Sequence, residues 1–375
     1  MTWLAEKLGE VCEIRTGKKD VDEGNSKGKY PFFSCSREIN HSDTYSFNTE
    51  AILIAGNGDV GNTKIYKGKF EAYQRTYVLN NFKDNIKYVY YYLLGYLKQI
   101  LMKNKSGSTM PYIRKGDLEN FQIFLPPLLE QKKIVYVLDT IQETVRIQEK
   151  IIEKTKELKK SLMHNLFKFG GSSFRKGRKL KKTGIGEIPE DWKVVKLGEV
   201  IEIFDNKRIP LSEGERQTMR GKYSYCGANG IIDYINDFIF EGEFILLAED
   251  GGYWGPFKQS AYIMKGKFWV NNHAHIIKGI ENKIMNFYLM NILNYLDLSD
   301  YISGTTRGKL NQGTMRLIEI FLPSFPEQRE IAEILQTINQ KIEVEKKKRT
   351  LYEELFKTML NKLMNEEIKT NNLRI

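Results

Sequence analysis

The sequence predicts an α+β chain: two β-rich domains of like fold separated by two long antiparallel helices that form a coiled coil. An internal pseudo-two-fold duplication relates the halves. Three observations predict this. Leu125–Phe167, which begins LPPLLEQKKIVYVLDTI, and Leu322–Met364, which begins LPSFPEQREIAEILQTI, align without a gap at a constant offset of 197. The opening Trp3-Leu-Ala-Glu-Lys-Leu-Gly-Glu-Val11 recurs as Trp192-Lys-Val-Val-Lys-Leu-Gly-Glu-Val200, at an offset of 189. Between these marks each copy carries a short apolar run bounded by glycines, Ala51–Ala55 and Phe244–Ala248, as strands do. Two copies of domain size make a duplication rather than a solenoid.

Taken in order, the chain reads as a first β-rich domain (1–126), a first spacer helix (127–169), a basic linker (170–190), a second β-rich domain (191–323), a second spacer helix (324–366) and a tail (367–375). Gly56-Asn-Gly-Asp-Val-Gly61 and Gly251-Gly-Tyr-Trp-Gly255 follow the strand runs as tight loops that need glycine dihedrals. Neither has the spacing of a P-loop or a dinucleotide fingerprint. Lys87–Leu101 and Met285–Leu296 read as short aromatic-rich helices whose tyrosines pack in cores and interfaces.

The long helices start at proline, which is tolerated only before or in a first turn: Pro126-Pro127 in one copy, Pro326 in the other. Ser324-Phe-Pro-Glu327 has the spacing of a capping box. In the first helix Ile134, Leu138, Ile141, Val145, Gln148, Ile152, Thr155, Lys159, Leu162 and Leu166 step alternately by four and three. The matching set in the second is Ile331, Leu335, Ile338, Ile342, Glu345, Arg349, Tyr352, Phe356, Met359 and Leu363. This is a heptad seam, apolar at its ends and polar near its middle, where polar residues weaken pairing but fix register. Each helix would be a rod of roughly 55 Å at ~1.5 Å per residue. The expected partner of each is the other copy, paired antiparallel by a two-fold operation. Glu157-Leu-Lys159 reads as a solvated face rather than a nuclease signature. The linker holds Arg175, Lys176, Arg178, Lys179, Lys181 and Lys182 with no acid before Glu187, so it is either a solvated connector or a phosphate contact.

The 375 residues carry a net charge of +11, which points to a polyanionic partner such as nucleic acid. No apolar leader and no membrane-spanning run is present in the sequence, and the three cysteines, Cys12, Cys35 and Cys226, fit neither a disulfide framework nor a zinc motif. A reduced, cytoplasmic chain without membrane association is expected. Two domains held apart by a rod, with a basic surface, suit two DNA half-sites, which lie ~34 Å apart at one helical turn.

At these residues the whole chain resembles the specificity subunit of a type I restriction–modification system. The resemblance rests on the paired Trp-x4-Leu-Gly-Glu-Val openings, the paired Leu-Pro-x4-Glu-Gln helix entries, and Gly266-Lys-Phe-Trp-Val-Asn-Asn-His-Ala-His-Ile276 with Ser303-Gly-Thr-Thr-Arg-Gly-Lys-Leu310. The first half departs from it, with Phe70-Glu-Ala-Tyr-Gln-Arg75 where the second has Phe268-Trp-Val-Asn-Asn-His273. The resemblance implies two target-recognition domains, double-stranded DNA as ligand, and assembly with two methylating modification subunits and ATP-driven restriction subunits. It implies no cofactor on this chain, with S-adenosylmethionine, ATP and Mg in the partner subunits.

Polar side chains in loops, among them Arg, Asn and Gln that can bond a base edge twice, are the candidates for DNA contact. In the first domain these are Asn57, Lys64, Gln74, Arg75, Lys105, Ser108, Thr109 and Arg114. In the second they are Tyr253, Trp254, Lys258, Asn271, Asn272, His273, Thr305, Thr306, Arg307 and Lys309. His273 and His275 share a strand face, but the sequence places no acid or cysteine nearby to complete a metal site. The function expected is sequence recognition without catalysis. An enzyme with its own active site is disfavoured, because no Asn-Pro-Pro or Asp-Pro-Pro loop and no carboxylate cluster is found. A coiled-coil scaffold for proteins is the other alternative; the basic excess argues against it.

Overall fold

The computed structural model describes residues 3–103, 112–304 and 308–370. The chain divides into two compact units, Met1–Glu149 with Lys347–Ile375, and Lys150–Lys346.

The first unit runs β1 (Leu4–Lys7), α1 (Leu8–Val11), β2 (Glu13–Thr16), β3 (Tyr30–Phe33), β4 (Asn40–Ser42), β5 (Phe47–Ala55), β6 (Thr63–Ala72), β7 (Thr76–Asn80), α2 (Ile86–Lys103), α3 (Lys115–Glu119) and β8 (Gln122–Leu125). It then takes the first part of α4 (Leu128–Phe169). The second unit holds the rest of α4, then β9 (Leu180–Thr183), β10 (Gly186–Pro189), β11 (Lys193–Lys196), β12 (Ile201–Ile203), α5 (Glu213–Thr218), β13 (Arg220–Gly227), β14 (Gly230–Ile235), β15 (Phe240–Ala248), β16 (Ala261–Val270), β17 (Ala274–Gly279), α6 (Asn286–Tyr295), α7 (Gln312–Leu317) and β18 (Glu319–Leu322). The last helix, α8 (Phe325–Met364), gives its start to the second unit and its end to the first.

The duplication holds for the topology of the main sheets and ribbons. One six-stranded sheet has the order β2-β7-β5-β6-β3-β4 and the other β12-β17-β15-β16-β13-β14. In each sheet one pairing is parallel, β3 with β6 and β13 with β16. A two-stranded ribbon, β1 with β8 or β11 with β18, precedes each helix entry. The central strands read as unbroken apolar runs because both faces of each sheet are covered. Ile52 and Ile54 point into the core built with α2, while Ala51 and Leu53 join Phe33, Phe70 and Val78 on the other face. Ile245 and Leu247 pack under α6, and Leu246 lies with Phe240, Phe268 and Ile276 opposite.

The tyrosines of the short helices are core residues, as expected. Tyr88 Oη donates to Phe124 O at 2.7 Å, and Tyr288 Oη makes the same bond to Phe321 O at 3.0 Å. The shared Glu-Gln entry has a physical reason in its glutamine. Gln131 Nε2 donates to Pro126 O (2.9 Å) and Asp84, while its Oε1 accepts from the Asn85 amide. Gln328 does the same with Pro323 O (3.1 Å), Lys283 O and the Met285 amide. Both are buried, so each fixes the direction of a helix against its domain.

The helical segments run antiparallel in each unit. In the first, Lys133 Nζ reaches Thr370 O (3.2 Å), while further along α4 Gln142 meets Tyr91, whose ring packs on Phe356 earlier in α8. In the second, the Gly171 amide meets Glu327 at the start of α8, and Lys159 faces Lys346 further on. Ile134, Leu138, Ile152, Leu166, Ile331, Leu335, Ile338, Ile342, Glu345 and Leu363 are buried; Ile141, Val145, Leu162, Tyr352, Phe356 and Met359 are half-buried. Met163 and Phe167, off the strict heptad, are buried in the core of the second unit, and Phe167 packs on Tyr288 and Tyr295 of α6. Thr155 turns its hydroxyl back to Ile151 O (2.7 Å), which satisfies it inside the seam. Lys159 is half-buried and therefore not part of a solvated face, whereas Glu157 is exposed and pairs with Lys154.

Two further expectations are corrected. The linker is not a free connector: it folds as the β9–β10 hairpin, and several of its cations are taken internally. Arg178 binds Glu327 and Asp191, Lys181 donates to Glu190 O and Trp192 O, and Arg175 to Gly170 O. Nor does Glu327 serve mainly as a capping-box residue. Fully buried, it accepts from Arg178, from the Gly171 amide (3.1 Å) and from Trp192 Nε1 (2.9 Å), which ties the linker to the helix start. Among the described residues no helix is long and apolar enough to cross a membrane. The three cysteines are free and buried, and burial pushes the thiols of Cys12 and Cys226 up to about 12.

Candidate nucleic-acid interface

Along the edge formed by the ends of the central strands in each sheet, three segments are stitched by matching backbone bonds. In the first unit the Gly56 amide donates to Arg75 O (3.0 Å) and the Ile113 amide to Gly56 O (2.8 Å). In the second the Glu249 amide donates to His273 O (2.8 Å) and the Leu310 amide to Glu249 O (2.7 Å). The loops after β5 and β15, the β6–β7 and β16–β17 turns, and the segments before α3 and α7 therefore meet in the same way. Arg75 and His273 are structural counterparts. So are Tyr77 and His275: Tyr77 Oη donates to Ile113 O (2.9 Å), and His275 Nε2 bonds Leu310 O (2.7 Å).

These bonds define the role of the paired histidines. Acids do lie beside them, contrary to the sequence reading, because residues distant in sequence are folded in. His275 Nδ1 is 2.6 Å from Asp205 Oδ2, and His273 Nδ1 is 2.9 Å from Asp250 Oδ2. Both ring nitrogens of His275 are occupied and the ring is buried, so it braces the edge. Among the described residues no group of three or more His, Cys, Asp or Glu is placed to hold a metal ion. Burial alone would raise the Asp205 carboxyl, but hydrogen bonds from His275 and the Ile276 amide, with the charges of His275 and Arg208, hold it below the usual carboxylate range.

In the first unit Asn57 is half-buried in a loop turned by Gly58 (φ +61°) and Gly61 (φ +77°), a conformation that favours glycine. Arg75 is exposed at the turn beside it. Gln74 is exposed but its amide donates to Asp20 (3.2 Å). Arg114 is exposed and folds onto Tyr112, donating to its hydroxyl at 2.8 Å. Lys64 is less available: its ammonium is held by the carbonyls of Ser36 and Arg37, each at 2.9 Å, and burial lowers its pKa. Asp20, Glu38 and Asp59 line a cleft of about 890 Å³ alongside. Asp59 is held low by Arg37, which bonds it at 2.9 Å. Carboxylates of this kind accept from cytosine N4, and the arginines suit guanine or phosphate.

In the second unit Tyr253, Lys258, Asn272 and Lys309 are exposed, and His273 is half-buried. Asn271 is buried; its Oδ1 accepts from the His273 amide (2.9 Å), so it shapes the turn that presents His273. Trp254 packs at the edge of the core and its ring lies against Gly308. His273, Asn229, Ile231 and Ile232 border an open hollow of about 300 Å³. With Asp250 on Nδ1, His273 offers Nε2 to a ligand, and the two isoleucines can meet a thymine methyl. Lys105, Ser108, Thr109, Thr305, Thr306 and Arg307 lie outside the described residues.

Sequence reasoning missed Arg208. Its guanidinium bonds Glu249, Ala274 O (2.9 Å) and Asn272 O (3.5 Å), and so locks the turn carrying His273 to the loop carrying Asp250. Its near partner is Asp205, whose carbonyl accepts from Nε (3.1 Å); the partners that give it this role stand far along the chain, so no local pattern marks it.

Comparison with known proteins fits this geometry. The chain matches the family described as the type I restriction modification DNA specificity domain, over residues 2–157 and again over 189–353. It is 31% identical to the specificity subunit of the type I restriction enzyme EcoDI of Escherichia coli, over 56% of this chain and 51% of that protein, about half its length. It is 27% identical to the MjaVIII specificity subunit of Methanocaldococcus jannaschii, over 99% of this chain and 94% of the relative. In fold it is similar to the S subunit of a type I restriction–modification system from M. genitalium, with a TM-score of 0.62, 20% identity, and coverage of 97% and 96% of the two chains. The chain belongs to the type I restriction–modification DNA specificity family. Family membership makes it a DNA sequence-recognition subunit, with no catalytic activity of its own.

Proposed function

We propose that the chain reads a bipartite, asymmetric target on double-stranded DNA, one half with each unit's stitched edge. It docks two modification subunits, which methylate, and restriction subunits, which cleave. The observation that carries this reading is the match of scaffold without match of side chain. The two edges share their backbone bonds, yet Arg75 stands where His273 stands and Tyr112 where Lys309 stands. An equal frame with unequal readers suits two different half-sites. S-adenosylmethionine, ATP and Mg belong to the partner subunits in this reading, and the complex works in the cytoplasm. The exposed outer positions of α4 and α8, such as Tyr136, Ile147, Leu158, Val344 and Leu351, offer apolar surface to those partners. Purified alone, the chain is expected neither to methylate nor to cleave duplex DNA in the presence of S-adenosylmethionine, ATP and Mg. Turnover by the isolated chain, confirmed on a second preparation, would overturn the reading.

A further inference from the structure

In the second unit a cleft of about 420 Å³ opens between α4, α8, α6 and the loop after β15, and lysines dominate its charge. Lys156, Lys159, Lys160 and Lys346 line it from the helices and Lys258 from the loop; Glu343 is the acid among its lining residues. Glu343 is 2.7 Å from Lys346, and Lys156 is 2.7 Å from Glu153. Lys159 is different: it sits half-buried at a seam position, and the charge it faces is Lys346, a like charge. Burial and that repulsion both lower its pKa.

The duplication supplies an internal control. At the constant offset of 197, Lys156, Lys159, Lys160 and Lys346 correspond to Glu353, Phe356, Lys357 and Glu149, and Glu343 to Arg146. These helix positions therefore carry a net charge of +3 in the second unit and zero in the first. In the first unit Phe356 fills the position of Lys159 and packs on Tyr91 at 5.8 Å. An apolar residue thus fills the matching seam position in the other unit. A cation kept in a half-buried place against a like charge is relieved by an anion.

We propose that this cleft binds a phosphate group. Its source is the duplex backbone beside the second half-site, because Lys258 belongs both to the cleft and to the loop that carries Tyr253 and Trp254. This source rests on the DNA-reading function above; the cleft's affinity for phosphate does not.

The test uses the full chain assembled with its modification subunit and the Lys159→Gln/Lys160→Gln variant. Binding to the specific duplex is measured against salt. The slope of log K against log salt is expected to fall by about 0.9 for each phosphate that the variant no longer neutralises. Lys357→Gln, at the counterpart of Lys160, should leave it unchanged. Separately, inorganic pyrophosphate is added to the full chain and its melting temperature followed. A pyrophosphate shift that the parent chain shows and the variant does not, with an unchanged DNA slope, would keep the phosphate site and assign it to a free anion. An unchanged slope together with no such shift overturns the proposal. A parent chain with no specific duplex at all would instead count against the DNA-reading function, while the pyrophosphate arm still decides the site. Should the double variant not fold, Lys346→Gln gives the same readings.

Discussion

Replacing His273 by alanine is expected to relax sequence preference in one half of the target and leave the other half unchanged; Arg75→Ala should do the converse. The two residues occupy the same place in the two frames, each contributing its carbonyl to the stitch and its side chain to the surface. A good base contact discriminates by ~1–3 kcal/mol, so each variant should lose roughly 5- to 150-fold of selectivity at its own position. The backbone carbonyls survive the substitutions, so the frame stays intact. Neighbouring candidates should act more indirectly. Gln74 is tethered to Asp20, and Asn271 is buried beneath the turn, so its removal disturbs the presentation of His273. The check is the set of sites methylated by the assembled complex. A change in both halves from either single variant would show that the units do not read separately.

Glu327→Ala is expected to have the largest effect on stability. Its side chain is 1% exposed and that of Arg178 is 10% exposed, and the pair is joined by two short bonds. The charged pair's own net contribution is modest, since both groups were taken out of water. Breaking it is another matter. Removal of Glu327 leaves Arg178 with Asp191 alone and strands the Trp192 Nε1 and Gly171 amide donors. Such a change costs about 3–5 kcal/mol, or roughly 6–20 °C of melting temperature for a unit of this size. Glu330, half-buried and accepting from the exposed Ser172 and Ser173, serves as the control and should cost about 1 kcal/mol. Thermal unfolding followed by circular dichroism measures both. Equal destabilisation by the two substitutions would remove the linker clamp from the account.

The sequence made the duplication legible because the two helices keep one offset and one period. It made Ala51–Ala55 and Phe244–Ala248 legible as strands because both faces of those strands are covered, which leaves apolar runs. Strand order was out of reach, since the parallel pairing of β3 with β6 and of β13 with β16 depends on partners far along the chain. The candidate site was legible as loops and less so as residues. Tyr77 and His275 do one job with different chemistry, which only the shared carbonyl acceptor reveals. Lys64 has the side chain of a reader and is held by two carbonyls instead. Arg178 sits in a basic linker and is a buried partner, because Glu327 lies 149 residues away. Local pattern carries period and turn chemistry; it does not carry long-range pairing.

Whether one chain carries two separate readers is decided by mapping methylated positions across the genome of cells that express the chain with its modification subunit. The expected result is a word in two unlike parts, separated by a fixed number of unspecified bases. A single continuous word, or two identical halves, would mean that the two units do not read independently.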